Sequence, residues 1–430
     1  MARVLFHIDL NAFFASAEEL RHPELKGKPL GIGGNSSRGV LSTCNYIARQ
    51  AGLHSAMPVL QAKEICPELV LLPPDGEYYR KLSGQFFALI RQYCPRMEIL
   101  SIDECFVDAT DVITKYPRPL DLAVAIQRAV YEKLGLKCSI GVAPTRFLAK
   151  MASDLRKPMG LSVIRKRDIP AKLYPLDVET CIGIGTKTVP KLQEAGITTI
   201  GDLADPENEA LCAQIFKNSW PEMKARIHGQ SSDQLVFSSS RKSISHSRTF
   251  LSDLYSLEDL QSQCRTLVYE LAESMKKKNQ RGAQVSLVLR DIHFRNKVRS
   301  KKLSGYTNDP IILYEAVSGL LQKEFDPVGY RHIGVTVGSL ANEEQMLFQP
   351  TLFDFDAGAP DHLLESLNRS LSKEETGGKL MTLGDLMRKK EEEKSSDKAD
   401  AKSPKANPAN PANPDEEKTA APAASENAYA

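Results

Sequence analysis

The chain has 430 residues, 42% of them hydrophobic and 26% charged, with a formal net charge of +2. That length calls for two to four domains, and that balance belongs to a soluble globular protein. No apolar run approaches the ~20 residues that span a bilayer, and MARVLFHIDL enters a strand without the features of a secretory signal, so a cytoplasmic protein with no membrane partner is expected.

The first strand runs from Arg3 to Leu10, with Asp9 at its end; AFFASAEELR then has apolar residues at helical spacing. A strand is expected over Gly39–Asn45 and helices over Pro58–Ile65 and Tyr78–Tyr93. Two short β-prone runs, Glu98 to Asp108, meet at Asp103-Glu104 and read as a hairpin. A helix (Leu120–Leu134), strand (Lys137–Val142), helix (Thr145–Leu155) and short strand (Leu161–Ile164) follow. This order predicts a ferredoxin-like sheet with helices on one face. From Ile169 to Gly229 the pattern is helical. It then becomes strand (to Phe250), helix (Leu257–Met275), two strands (Ala283–Asp291, Lys297–Leu303), helix (Ile311–Phe325) and strand (His332–Leu340), a second βαββαβ unit. The fold class is therefore α+β and multidomain. Eight cysteines stand singly, with no CxxC pair, and read as reduced, mostly buried thiols. From Ser395 onward Tyr429 is the only large apolar residue, and residues 357–430 read as a mostly disordered tail.

Three carboxylates stand where strands end: Asp9, Asp103 and Glu104. In a ferredoxin-like sheet the first strand lies beside the hairpin, so all three can converge on one edge. Crowded carboxylates repel unless cations neutralise them, and hard oxygen ligands suit Mg²⁺. Two such ions about 3.5–4 Å apart would polarise an attacking 3′-hydroxyl and steady a leaving pyrophosphate. Acidic residues also cap turns, but an adjacent Asp-Glu inside an apolar strand pair, SIDECF, is costly to bury without a purpose.

HIDLNAFFASAEE, GVLSTCNYIARQAG, SIDECFVD and GVAPTRFLAKMASDLRKPMGL resemble successive motifs of Y-family translesion DNA polymerases, in that family's order, over about residues 1–340. The resemblance implies a palm (1–10 and 76–166), fingers (11–75), a helical thumb (167–236) and a little finger (237–342). It implies a low-fidelity, template-directed polymerase taking primer-template DNA and dNTPs, with two Mg²⁺, no proofreading exonuclease domain and a monomeric state. Asp9, Asp103 and Glu104 would be metal ligands, joined by the backbone carbonyl of Leu10, with Asp103 and Glu104 catalytic. Phe14 would sit under the incoming sugar as a steric gate, although its spacing also suits a core residue. Thr43, Tyr46, Arg49 and Lys157 would bind the triphosphate. Asn11 departs from the family, where many members have a second aspartate; that residue is not a principal metal ligand, so activity is expected to survive.

In CIGIGTKT, Gly183 and Gly185 allow a tight hairpin whose backbone N–H groups can cradle a phosphate, resembling a helix-hairpin-helix. Between Lys276 and Lys302 ten Lys or Arg face one acid, Asp291. Arg295, Lys297, Arg299 and Lys301 alternate there, so on a strand all four share one face at roughly 6.5–7 Å intervals. Such a row suits a DNA backbone; a solvated strand face is the competing reading. Within residues 343–356, Gln349, Leu352 and Phe353 have the Q-x-x-L-F shape of peptides that dock on a sliding clamp. A DNA-binding accessory protein would need no carboxylates, and a nucleotidyl cyclase would need no DNA grip.

Overall fold

The computed structural model describes residues 3–231, 234–237 and 240–342. The clamp-peptide residues Gln349, Leu352 and Phe353, and the tail, lie outside the described residues. In chain order come β1 (Leu5–Leu10), α1 (Phe13–Arg21), β2 (Leu30–Gly33), β3 (Leu41–Cys44), α2 (Tyr46–Gln50), α3 (Val59–Ile65), β4 (Val70–Leu72) and α4 (Gly76–Tyr93). They continue as β5 (Met97–Ile99), β6 (Glu104–Asp108), α5 (Pro119–Leu134), β7 (Cys138–Ala143), α6 (Arg146–Asp154) and β8 (Leu161–Val163). Five short helices follow: α7 (Ile169–Lys172), α8 (Val189–Glu194), α9 (Ile200–Ala204), α10 (Glu209–Phe216) and α11 (Trp220–Ile227). Last are β9 (Ser243–Leu254), α12 (Leu257–Lys276), β10 (Gln280–Asp291), β11 (Asn296–Thr307), α13 (Pro310–Glu324) and β12 (Tyr330–Asn342).

The main sheet has the order β5-β6-β1-β7-β8, antiparallel except where β8 runs parallel to β7. Because strand side chains alternate, Phe6, Ile8 and Leu10 enter one core, with Phe86, Ile90, Leu122 and Ile126 of α4 and α5. Leu5 and Phe106 point the other way, into a second core with Phe147, Leu148 and the helical segment's Leu192 and Trp220. The expectation of helices on one face is thus corrected: α6 covers the opposite face. Gly141 permits this close approach, since a Cβ there would lie 2.0 Å from the Ala149 carbonyl oxygen. A small sheet, β3-β2-β4, gives Leu30 and Ile32 to the first core and covers a further core of Leu41, Leu53, Met57 and Val59.

The last sheet has the order β11-β10-β12-β9. Val285, Leu287, Leu289, Val335 and Val337 pack on Leu260, Leu267, Leu271 and Leu313 of α12 and α13. By alternation its other face bears small polar residues, with Ser286 between Ser300 and Thr336, and Ser245 beyond. This unit touches the rest of the chain at identifiable points. Arg38 donates to the Phe250 carbonyl at 3.1 Å and to Asp253 at 2.9 Å, and in the segment leading to the unit the Val236 backbone N–H donates to the Glu98 carboxylate at 2.9 Å. All eight cysteines are buried and unpaired.

Candidate active site

β1 and β6 are neighbours in register, so Asp9 stands directly opposite Glu104, and the Leu10 N–H donates to the Asp103 carbonyl at 3.0 Å. The β5–β6 hairpin turns through Leu100–Asp103, which places Asp103 at the same sheet edge. The backbone thus sets Asp9 and Glu104 opposite each other on adjacent strands, with Asp103 in the turn just before β6. Their side chains are held separately. Lys157 Nζ lies 2.8 Å from Asp9 Oδ1 and 2.7 Å from Asp154 Oδ1. The Ser101 hydroxyl donates to Asp103, while Glu104 Oε2 is bound by Lys150 Nζ and, at 3.1 Å, by His7 Nε2.

These contacts set the charge states. Burial pushes the Asp9 carboxyl up, with the Lys157 ammonium opposing it. Burial works in the same direction on Glu104, but hydrogen bonds from His7 and Lys150 prevail and hold it down at about 2. The Lys157 ammonium is disfavoured by burial, yet Asp9 and Asp154 raise its affinity for its proton.

Among the described residues no three acidic, histidine or cysteine side chains close around one point, because Glu104 is drawn toward His7 and Lys150. The donor set nevertheless fits a hard divalent cation. It consists only of carboxylate and carbonyl oxygens, the ligands such an ion takes, while Lys157 and Lys150 pair with Asp9 and Glu104 in this arrangement.

A cleft of about 240 Å³ opens beside the acids, lined by Asp9, Leu10, Ala12, Phe14, Ser42, Thr43, Tyr46, Arg49, Ser55, Asp103 and Lys157. Ala12, in the left-handed region at φ 46°, makes the turn that swings α1 away from β1 and places Phe14 in the wall. The Phe14 ring is half-buried and stacks on Tyr79 at 4.4 Å, so it serves both the core and the cleft. Asn45 caps α2 by accepting from the Ala48 N–H, and α2 carries Tyr46 and Arg49. Arg49 donates to the Cys44 carbonyl at 3.1 Å and to Thr43 Oγ1 at 3.4 Å, and its guanidinium lies 5.2 Å from the Tyr46 ring centre. Asn11 is buried and turned from the cleft, donating to Ser139 and accepting from the Met159 N–H at 2.8 Å.

Gly183 has φ +99° in the turn before α8, and a Cβ at Gly185 would meet nothing within 4 Å. The basic stripe needs correction. Arg295 precedes β11, and its side chain pairs with Asp291 at 2.7 Å. Lys297, Arg299 and Lys301 do share a face, but it is the face toward α13. Lys297 donates to the Glu324 carbonyl at 3.0 Å, and Arg299 lies 3.0 Å from the Glu324 carboxylate. Glu324 and Asp291 therefore relieve repulsion that a bare row would carry. Sequence reasoning missed His7, Lys150, Ser42 and Ser55; parity along β1, which sends His7 to the same face as Asp9, was the available signal for the first.

Residues 8–154 match the impB/mucB/samB family, and residues 241–351 match that family's C-terminal domain. The chain belongs to this family, the Y-family DNA polymerases, and is a DNA-directed DNA polymerase. Over most of its length it is similar to DNA polymerase IV of Bacillus velezensis, with 34% identity over 395 residues, 90% of this chain and 94% of the relative. It is also similar to DNA polymerase IV 1 of Bacillus subtilis, 35% identical over 397 residues, 91% of this chain and 94% of that protein. Among solved structures it resembles a Y-family DNA polymerase chimera of Dbh and Dpo4, at 25% identity and TM-score 0.72, covering 79% of this chain and 99% of that one. An insertion ternary complex of Dbh DNA polymerase matches at 25% identity and TM-score 0.56, with the same coverage.

Proposed function

We propose that this translesion polymerase joins dNTPs to a primer 3′-hydroxyl with low fidelity, using two Mg²⁺ held by Asp9, Asp103, Glu104 and the Leu10 carbonyl. The observation that carries this reading is the direct pairing of Asp9 with Glu104 across β1 and β6, beside the cation-lined cleft. When bound, the ions would activate the primer hydroxyl and screen the pyrophosphate. Thr43, Tyr46, Arg49 and Lys157 would orient the triphosphate and meet the charge that develops on it. Phe14, stacked against Tyr79, would present a fixed edge to the sugar and exclude a 2′-hydroxyl.

In this reading the main sheet is the palm, the small sheet with α1–α3 the fingers, α7–α11 the thumb and the last unit the little finger. DNA would be gripped through the Gly183/Gly185 hairpin and the stripe Lys297, Arg299 and Lys301, with Arg295 at its approach. The enzyme would be monomeric and cytoplasmic, and Gln349, Leu352 and Phe353 would dock on the sliding clamp.

Primer extension on an undamaged template tests the site. Wild type with Mg²⁺ and four dNTPs should extend the primer, and Asp103→Ala should not, while binding primer-template equally well. Extension by Asp103→Ala at the wild-type rate would remove Asp103 from the metal set. If neither protein extends, templated synthesis itself is refuted.

A further inference from the structure

His7 is 1% exposed, and nothing in templated synthesis as described above uses it. Its ring is fixed on three sides. Phe106 tilts against it with 4.8 Å between ring centres, Ser153 Oγ meets Nδ1 at 2.8 Å, and Glu104 Oε2 meets Nε2 at 3.1 Å. Ser153 is itself anchored, donating to the Lys150 carbonyl at 2.7 Å, and the same Lys150 sends its Nζ to Glu104 Oε2. A carboxylate oxygen only accepts, so both His7 Nε2–H and Lys150 Nζ–H donate to a single atom, Oε2. α6 thereby supplies two anchors, Lys150 and Ser153, three residues and so nearly one helical turn apart, which grip the ends of one short chain: ammonium, carboxylate, histidine ring, hydroxyl, carbonyl.

We propose that His7, oriented by Ser153, is a positioning residue for the metal site. Together with Lys150 it seats Glu104 by Oε2 and leaves Oε1 as the oxygen offered to a divalent cation. The proposal rests on Glu104 being a metal ligand, as in the function proposed above. Hydrogen-bonding partners behind a metal ligand fix its orientation, and losing one typically costs about 10–100-fold in metal affinity or activity.

The experiment measures the Mn²⁺ dissociation constant by electron paramagnetic resonance, on the full chain with primer-template and a non-hydrolysable dNTP analogue. Wild type, His7→Leu, His7→Gln, Ser153→Ala and Glu104→Ala are compared, with kcat and dNTP KM measured beside them. His7→Leu should weaken Mn²⁺ about 10-fold or more and lower kcat, with dNTP KM unchanged. His7→Gln, whose amide can still reach Glu104, should recover most of the loss, and Ser153→Ala should fall between. Should His7→Leu fail to fold, the order of the other variants decides the matter. If Glu104→Ala weakens Mn²⁺ but the His7 and Ser153 variants do not, the seat is refuted while the metal reading stands. An unchanged constant in Glu104→Ala overturns the metal reading, and the seat with it.

Discussion

Replacing Lys150 with Met removes a charge and keeps the aliphatic stem. The Glu104 carboxyl, held at about 2 in the folded protein against an ordinary value of 4.5, stabilises the fold wherever it is ionised. A displacement of that size corresponds to about 3 kcal/mol, and water reaching the cleft reduces it to about 1–3 kcal/mol. The folded value lies below the unfolded one. The contribution is therefore complete above pH 4.5, declines as pH falls toward 2 and is absent below. Because His7 also holds the Glu104 carboxylate, Lys150→Met should lose only part of this, about 1–2 kcal/mol at pH 6, and the gap from wild type should close between pH 4.5 and 2. Urea unfolding in chelator, followed by fluorescence, measures this directly. The chain's single tryptophan, Trp220, sits in the core shared with α6, which carries Lys150. A gap of the same size at pH 6 and pH 3 would assign the loss to packing of the lysine stem and refute the electrostatic account.

Phe14→Ala should lower discrimination against ribonucleotides at least about 10-fold, read from single-nucleotide insertion of each dNTP and its ribonucleotide; unchanged discrimination excludes this ring as the gate. Changing Lys297, Arg299 and Lys301 together to Ala should reduce the slope of log K against log salt for primer-template binding. Each lost phosphate contact lowers it by about 0.9, and competition from Glu324 makes a total of about 1–2 the expected drop. A slope that does not move places the DNA backbone elsewhere.

The placement of Asp9 and Glu104 was legible in the sequence because each sits at a strand end, where pleat and register leave little choice. Asp9 facing Glu104 follows from pairing two short strands whose apolar residues must enter one core. The small sheet was not legible beyond β3, because LGIG and VLL are too short to show a period. Nor could helical amphipathicity tell which side of the main sheet α6 would cover; Gly141, whose missing side chain admits that helix, was the only hint. The basic stripe shows a different limit. Alternation assigns Lys297, Arg299 and Lys301 to one face without saying whether that face is open. Leu303, of the same parity and packed on the core, marks it as the helix-facing side.

The distribution of cores has an evolutionary consequence. The helical segment α7–α11 shares its core with the far face of the main sheet, through Leu5, Phe106 and Trp220, so the two must change together. Residues 243–342 close over a core of their own and meet the remainder through such contacts as Arg38 with Phe250 and Asp253. Among the described residues, a recombination junction after Val236 would leave the apolar cores intact and ask such groups as Arg38 to find new acceptors. The chain can thus inherit its catalytic half and its final unit from different ancestors, and trade one without rebuilding the other.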